Sequence, residues 1–265
     1  MVAAATAIAL NWTFWDRYLH AYTFQSFIDN PFPTIERLYP QERVKGVGRP
    51  SDIPVSEGSE RTISDAALAE AVAFAEQSAS TSLLVSHNGR LQLEKYWRGA
   101  GPEVPVYSFS MHKSVVALLV GIAIAEGRIG GVDDPLSFYL PQWSEDERGR
   151  ISIRNLLQMN SGLEPMEFPR NPFSKHVRRQ VGTDIAAAAL SYRLQDEPGA
   201  TFSYNGVNPT LLVMVLERAT GKRYADLLSE KLWSRLGNRD AAVWLDRDGG
   251  LARGATSLYA VPRDW

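Results

Sequence analysis

Residues 114 to 125, SVVALLVGIAIA, carry no charge, and their one polar side chain is Ser114. Gly127 follows closely, where a helix-ending glycine is expected. A helix of this composition has no polar face to turn towards water, so it demands apolar partners on most sides. It is also much shorter than the roughly 20 apolar residues that cross a bilayer. The chain must therefore build a core around this segment, and its 265 residues are enough to do so.

The remaining composition narrows the function classes. With 45% hydrophobic and 22% charged residues the chain reads as an ordinary soluble globular protein. A net charge of -2 supplies no basic stripe, so no nucleic-acid partner is expected. The absence of cysteine excludes disulfides, thiolate catalysis and zinc-thiolate sites. His20, His87, His112 and His176 are scattered and form no His-Glu-x-x-His pattern, so no metal site is expected. Walker A, dinucleotide-glycine and Gly-x-Ser-x-Gly motifs are absent, which leaves a small-molecule partner as the expectation.

The chain opens on an apolar run, MVAAATAIALNWTFW, whose first basic residue is Arg17. Two readings stay open: the end of a signal or anchor segment, which would allow membrane association, or a packing helix. Residues 29 to 61 are rich in Pro and Gly and aperiodic, so residues 1–61 are expected to form an apolar segment and an extended arm, with one domain over 62–265. Ser64 is placed to cap a helix through DAALAEAVAFAEQ. Two strand-like runs flank Asn88-Gly89, a strong hairpin signal. Short helices are expected within 151–163 and 183–193, longer ones over about 208–219 and 223–235, and a second hairpin begins near residue 240. Strands, a helical block and strands again imply an α+β fold whose antiparallel sheet is assembled from both chain ends.

Immediately before the apolar segment lies Ser110-Met111-His112-Lys113. Positions i and i+3 of a helix are neighbours, so Ser110 and Lys113 would stand side by side. A serine hydroxyl must lose its proton to a base as it attacks. A lysine serves as that base when desolvation depresses its affinity for the proton, and the positive end of a helix dipole acts in the same direction. The pair alone leaves a plainer reading open, in which Ser110 is a helix cap and Lys113 a snorkelling surface side chain. Tyr204, in TFSYNG, is a second candidate, because a phenol beside an ammonium can shuttle protons; the alternative is a core tyrosine. His112 should point to another helix face and is read as structural.

Taken together, SMHK at 110–113, DDPLSFYLPQW, ISIRNLLQMNSGL and FSYNGVNPTLLVMVLERATG resemble, in that order, the serine β-lactamase and penicillin-binding protein superfamily. The nearest branch is the class C-like one that includes esterases and 6-aminohexanoate-dimer hydrolases, and the likeness covers roughly residues 60–265. The resemblance implies a β-lactamase/transpeptidase-like fold and a serine hydrolase without metal or organic cofactor. It implies that Ser110 is the nucleophile, Lys113 its activating partner and Tyr204 the general base and acid. The chemistry would be acyl transfer through an acyl-serine, with the Ser110 N–H as one oxyanion donor and a small ester, amide or peptide-like substrate.

The chain departs from the family pattern in two places. The β-lactamase branch has Tyr-x-Asn, whereas position 206 is Gly; Asn205 is the adjacent amide and a weaker candidate for substrate binding. No Lys-Thr-Gly-like tripeptide follows Tyr204, so the C-terminal part of the fold is expected to be missing and the chain inactive or weak by itself. These departures keep two other readings in view: a non-catalytic penicillin- or peptide-binding sensor, and an inactive fragment. The basic stretch 166–180 is expected to rim the site. The resemblance favours a periplasmic, secreted or membrane-anchored location over a cytoplasmic one.

Overall fold

The computed structural model describes residues 11–21, 38–47, 53–166 and 171–265. The start of the apolar run, residues 1–10, and positions 29–37 and 48–52 of the expected arm lie outside them.

Four strands form one antiparallel sheet: β1 (Gln41–Val44), β4 (Val106–Tyr107), β5 (Ala241–Trp244) and β6 (Leu258–Ala260), in the order β1-β5-β6-β4. The sheet thus joins residues from the two ends of the chain, as expected. β5 and β6 make the anticipated late pairing, with Ala242 opposite Tyr259. The arm contributes more than expected, because β1 pairs along its whole length with β5 and Val44 is completely buried. The hairpin β2 (Ser82–His87) and β3 (Arg90–Tyr96) forms a separate two-stranded sheet. Asn88 and Gly89 both take positive φ, 50° and 73°, which is the turn that matches strand twist in a two-residue hairpin.

The helices fall mostly where capping and periodicity put them. They are α1 (Trp12–Leu19), α2 (Asp65–Gln77), α3 (His112–Ala125), α4 (Ile153–Leu157), α5 (Lys175–Val181), α6 (Ile185–Leu190), α7 (Val207–Thr220) and α8 (Tyr224–Leu228). Ser64 caps α2 by accepting from Ala67 N–H, and Ser152 and Asn155 form a reciprocal capping box on α4. Gly221 stops α7 at a φ of 68°.

The core lies between α3, α7 and α8 and the inner face of the sheet, with Trp143 and Trp233 filling its sides. Here one expectation needs correction. Val115, Val116, Leu119, Val120 and Ala123 of α3 are buried in this core, but Ser114, Ala117, Leu118, Gly121 and Ala125 are exposed. Among the described residues the all-apolar helix is therefore covered on one side only. No helix among the described residues is long and apolar enough to cross a membrane.

Candidate active site

The site sits where the starts of α3 and α7 meet the edge of the sheet. Ser110 lies in a 3-10 turn, Phe109–Met111, that runs straight into α3. The turn is fastened to the sheet by Ser108, which is buried. Its N–H donates to Leu258 O (3.0 Å), its hydroxyl donates to Thr256 O (3.0 Å), and the same oxygen accepts from Leu258 N–H (3.2 Å). Between this anchor and the nucleophile candidate, Phe109 has φ 46°, a left-handed conformation that a bulky residue keeps only when its surroundings hold it. Strain of this kind concentrates at functional positions.

Lys113, one helical turn on, donates from Nζ to Ser110 Oγ at 2.9 Å and to Ala255 O at 2.7 Å. Tyr204 comes from the turn before α7, and its Oη lies 2.9 Å from the same Ser110 oxygen. Lys113 Nζ is also 5.1 Å from the centre of the Tyr204 ring. Three candidate residues named from sequence thus converge on one hydroxyl, although Tyr204 is 94 residues from Ser110. Burial pushes the Lys113 ammonium below its ordinary value, and the Arg179 cation acts in the same direction against the stabilising effect of Tyr204. Burial opposes ionisation of the Tyr204 phenol, but its hydrogen bonds to Ser110 and Lys113 and the lysine charge outweigh that, and it titrates below a free tyrosine. Both shifts run in one direction, lowering the cost of removing a proton from the groups beside Ser110.

The turn carrying Tyr204 rests on the NSG segment of the earlier motif. Ser203 N–H donates to Met159 O (2.7 Å), Gly199 N–H to Asn160 O (2.8 Å) and Ser161 Oγ to Asn208 Oδ1 (2.8 Å). Asn205 belongs to this scaffold. It is buried; Nδ2 donates to Glu164 O (3.0 Å) and Oδ1 accepts from Val207 N–H (3.1 Å). With both ends of its amide engaged by main chain, Asn205 holds the turn, which replaces the expectation that it contacts substrate.

His112 is likewise structural: it is fully buried, its Nε2 lies 2.8 Å from Tyr224 Oη, and desolvation pushes its pKa down to about 3. Of the stretch 166–180, residues 167–170 lie outside the described residues. Lys175 pairs with Glu164, and Arg179 reaches the main chain beside Tyr204, a proximity no spacing in the sequence announced. Apolar side chains next to the site residues in sequence are open to solvent: Phe109, Met111 and Phe202, like Tyr204 itself, are about half exposed or more. Among the described residues no cluster of metal-ligating side chains occurs.

A serine in the turn that opens α3, with a desolvated lysine and a perturbed phenol on its hydroxyl, set between a helical block and an antiparallel sheet, defines a class of acyl-transfer fold. The family model for Beta-lactamase matches residues 65–265, and the chain belongs to that family of serine hydrolases. It is 28% identical over 202 residues to a 6-aminohexanoate-dimer hydrolase of Paenarthrobacter ureafaciens, an alignment covering 70% of this chain and 50% of that protein. The chain thus spans about half the length of this curated relative. Among solved structures, a Bacillus anthracis protein assigned as a 6-aminohexanoate-dimer hydrolase superposes with a TM-score of 0.74 at 18% identity, over 91% of this chain and 68% of that one. FmtA of Staphylococcus aureus superposes at 0.61 with 22% identity, over 81% and 67%. A class C beta-lactamase of Rhodobacter sphaeroides gives 0.55 with 19% identity, over 76% and 63%. These likenesses establish the fold: β-lactamase/transpeptidase-like, with mixed helices and antiparallel sheets.

Proposed function

We propose that this chain carries the Ser-Lys-Tyr site of a hydrolase that cleaves a small ester or amide bond through an acyl-serine. The observation that supports this most directly is the meeting of Lys113 Nζ and Tyr204 Oη on Ser110 Oγ, each at 2.9 Å. As Ser110 attacks the substrate carbonyl, its proton passes to the deprotonated member of the Lys113–Tyr204 pair. The Ser110 N–H faces the developing oxyanion. Tyr204 then returns the proton to the leaving alcohol or amine, and the C–O or C–N bond breaks to leave the acyl-serine. Water, deprotonated by the same pair, attacks that ester and releases the acid and free Ser110. No step calls for a metal or organic cofactor.

For the substrate, the relative named as a 6-aminohexanoate-dimer hydrolase and the exposed apolar side chains of Phe109, Met111 and Phe202 beside the site residues in sequence favour a simple linear amide or ester. Residues 62–265 would form the catalytic unit, with the preceding arm lending β1 to its sheet. Glycine at 206 supports a second reading, a sensor that is acylated once and does not turn over, since no side chain there can hold a substrate amide.

Intact-mass labelling with a fluorophosphonate and a fluorescent penicillin separates these readings. We expect the fluorophosphonate to label the wild-type chain once and the Ser110→Ala variant not at all. Labelling by penicillin alone, without turnover of any ester, would favour the sensor. Labelling that survives Ser110→Ala would remove Ser110 from the mechanism.

A further inference from the structure

The space left by the missing side chain at position 206 is filled. A Cβ built on Gly206 would lie 2.7 Å from Arg179 Nη2 and 2.9 Å from both Cζ and Nη1, well inside van der Waals contact. Any larger residue would have to push the guanidinium aside. Arg179, on α5, is only 6% exposed, and Gly206 is buried as well. Gly206 stands two residues after Tyr204, whose hydroxyl touches Ser110. A buried cation is thus seated one layer behind the three-residue cluster.

Several groups act on Lys113: Ser110 from the turn before its helix, Tyr204 from the turn before α7 and the Ala255 carbonyl from the segment before β6 touch it, and Arg179 from α5, seated against Gly206, acts through its charge. His112 lies behind it and is neutral near pH 7. Of these, Arg179 carries a positive charge that persists at every working pH. Arg179 is itself held among His176 on its own helix, Gln180, whose Oε1 accepts from Nη2 at 3.5 Å, and Arg253, which bonds the Gln180 and Arg179 carbonyls.

We propose that Arg179 is a positioning residue. The gap at Gly206 admits its guanidinium, and this fixed charge biases the proton shared by Ser110, Lys113 and Tyr204 away from Lys113. The inference rests on the Ser-Lys-Tyr reading above. A like charge raises the free energy of the ammonium relative to the amine, and an opposite charge lowers that of a phenolate, so one cation favours both deprotonated partners. The depressed proton affinity of Lys113, to which Arg179 contributes, is consistent with this. The amide missing at 206 is in this account exchanged for charge.

The test is the pH profile of Ser110 labelling by a fluorophosphonate in the 265-residue chain, from pH 6 to 10. The acid limb reports the cluster as a whole. In Arg179→Met we expect that limb to move up by about one pH unit, with labelling at pH 7 about tenfold slower and the high-pH plateau retained. Arg179→Lys should restore most of the shift. Gly206→Asn, which displaces the guanidinium without removing it, should move the limb in the same direction, and it decides the matter if Arg179→Met does not fold. A folded Arg179→Met or Gly206→Asn whose limb stays in place, with any loss equal at every pH, would overturn the proposal. A wild-type chain that does not label at all would instead sink the Ser-Lys-Tyr reading, and this inference with it.

Discussion

Helices α3 and α7 are both 14 residues long and both begin at the site, yet they are buried differently. α3 has no charged residue after Lys113, but Ala117, Leu118, Gly121 and Ala125 face solvent, Leu118 with 55% of its surface. α7 contains Asn208 and Thr210 and is nevertheless buried at nearly every position from Val207 to Leu216. It can be, because its polar groups are satisfied: Asn208 accepts from Ser161 and Thr210 Oγ1 donates to Gly206 O at 3.0 Å. Apolar composition states what a helix needs, whereas burial depends on what the rest of the fold brings to each face. The site uses both conditions, since α7 fixes the turn that presents Tyr204 while α3 carries Lys113, and the turn leading into it Ser110, at a more open edge.

Substitutions at matched positions test this contrast. The largest effect is expected at the junction of the two helices: Tyr204→Phe should slow acylation of Ser110 about 100- to 10,000-fold, measured as the second-order rate of fluorophosphonate labelling. A loss under threefold would separate the α7 side from the chemistry. Next, Leu211→Ala in α7, at a fully buried position, should lower stability by about 2–5 kcal/mol in urea unfolding.

A pH effect follows at the head of α3. His112 stays neutral in the fold down to about pH 3, while in the unfolded chain it binds a proton near pH 6.5. The unfolded state therefore holds the extra proton between those values. Its contribution to stability is fully present above pH 6.5 and falls as the pH drops, by at most about 1.4 kcal/mol per unit. Urea midpoints at pH 7, 6 and 5 should show a shallower acid slope in His112→Asn than in the wild type. The smallest effect is expected on the open face of α3, where Leu118→Ala should change stability by no more than about 0.5 kcal/mol. A cost above 2 kcal/mol there would mean that the face is covered in solution and the contrast with α7 is false.

Local signals read well wherever a single residue type dictates the backbone. Ser64, Asn88-Gly89 and Gly221 each act through caps or positive φ that need no distant partner, and each marks the end it was expected to mark. Ser110 and Lys113 were legible as a pair because helical spacing alone brings them together. What the sequence did not disclose depends on partners far along the chain. The pairing of β1 with β5 joins residues about 200 apart, which local pattern cannot register. Asn205 reads in sequence as an amide available for substrate, whereas in the fold the Glu164 carbonyl and the Val207 N–H engage it. Arg179 lies in a stretch readable only as basic, and its seat against Gly206 joins α5 to the residue that precedes α7, which no local pattern registers.

The central claim is that Lys113 and Tyr204 act on Ser110 as one unit, and a double-variant cycle tests it most directly. Fluorophosphonate labelling rates at pH 7.5 would be compared for the wild type, Lys113→Met, Tyr204→Phe and the double variant, with folding checked in each. The account predicts that the double variant is about as slow as the slower single one, since residues acting as a unit give strongly non-additive losses. Losses that multiply, or single variants that label at the wild-type rate, would contradict it.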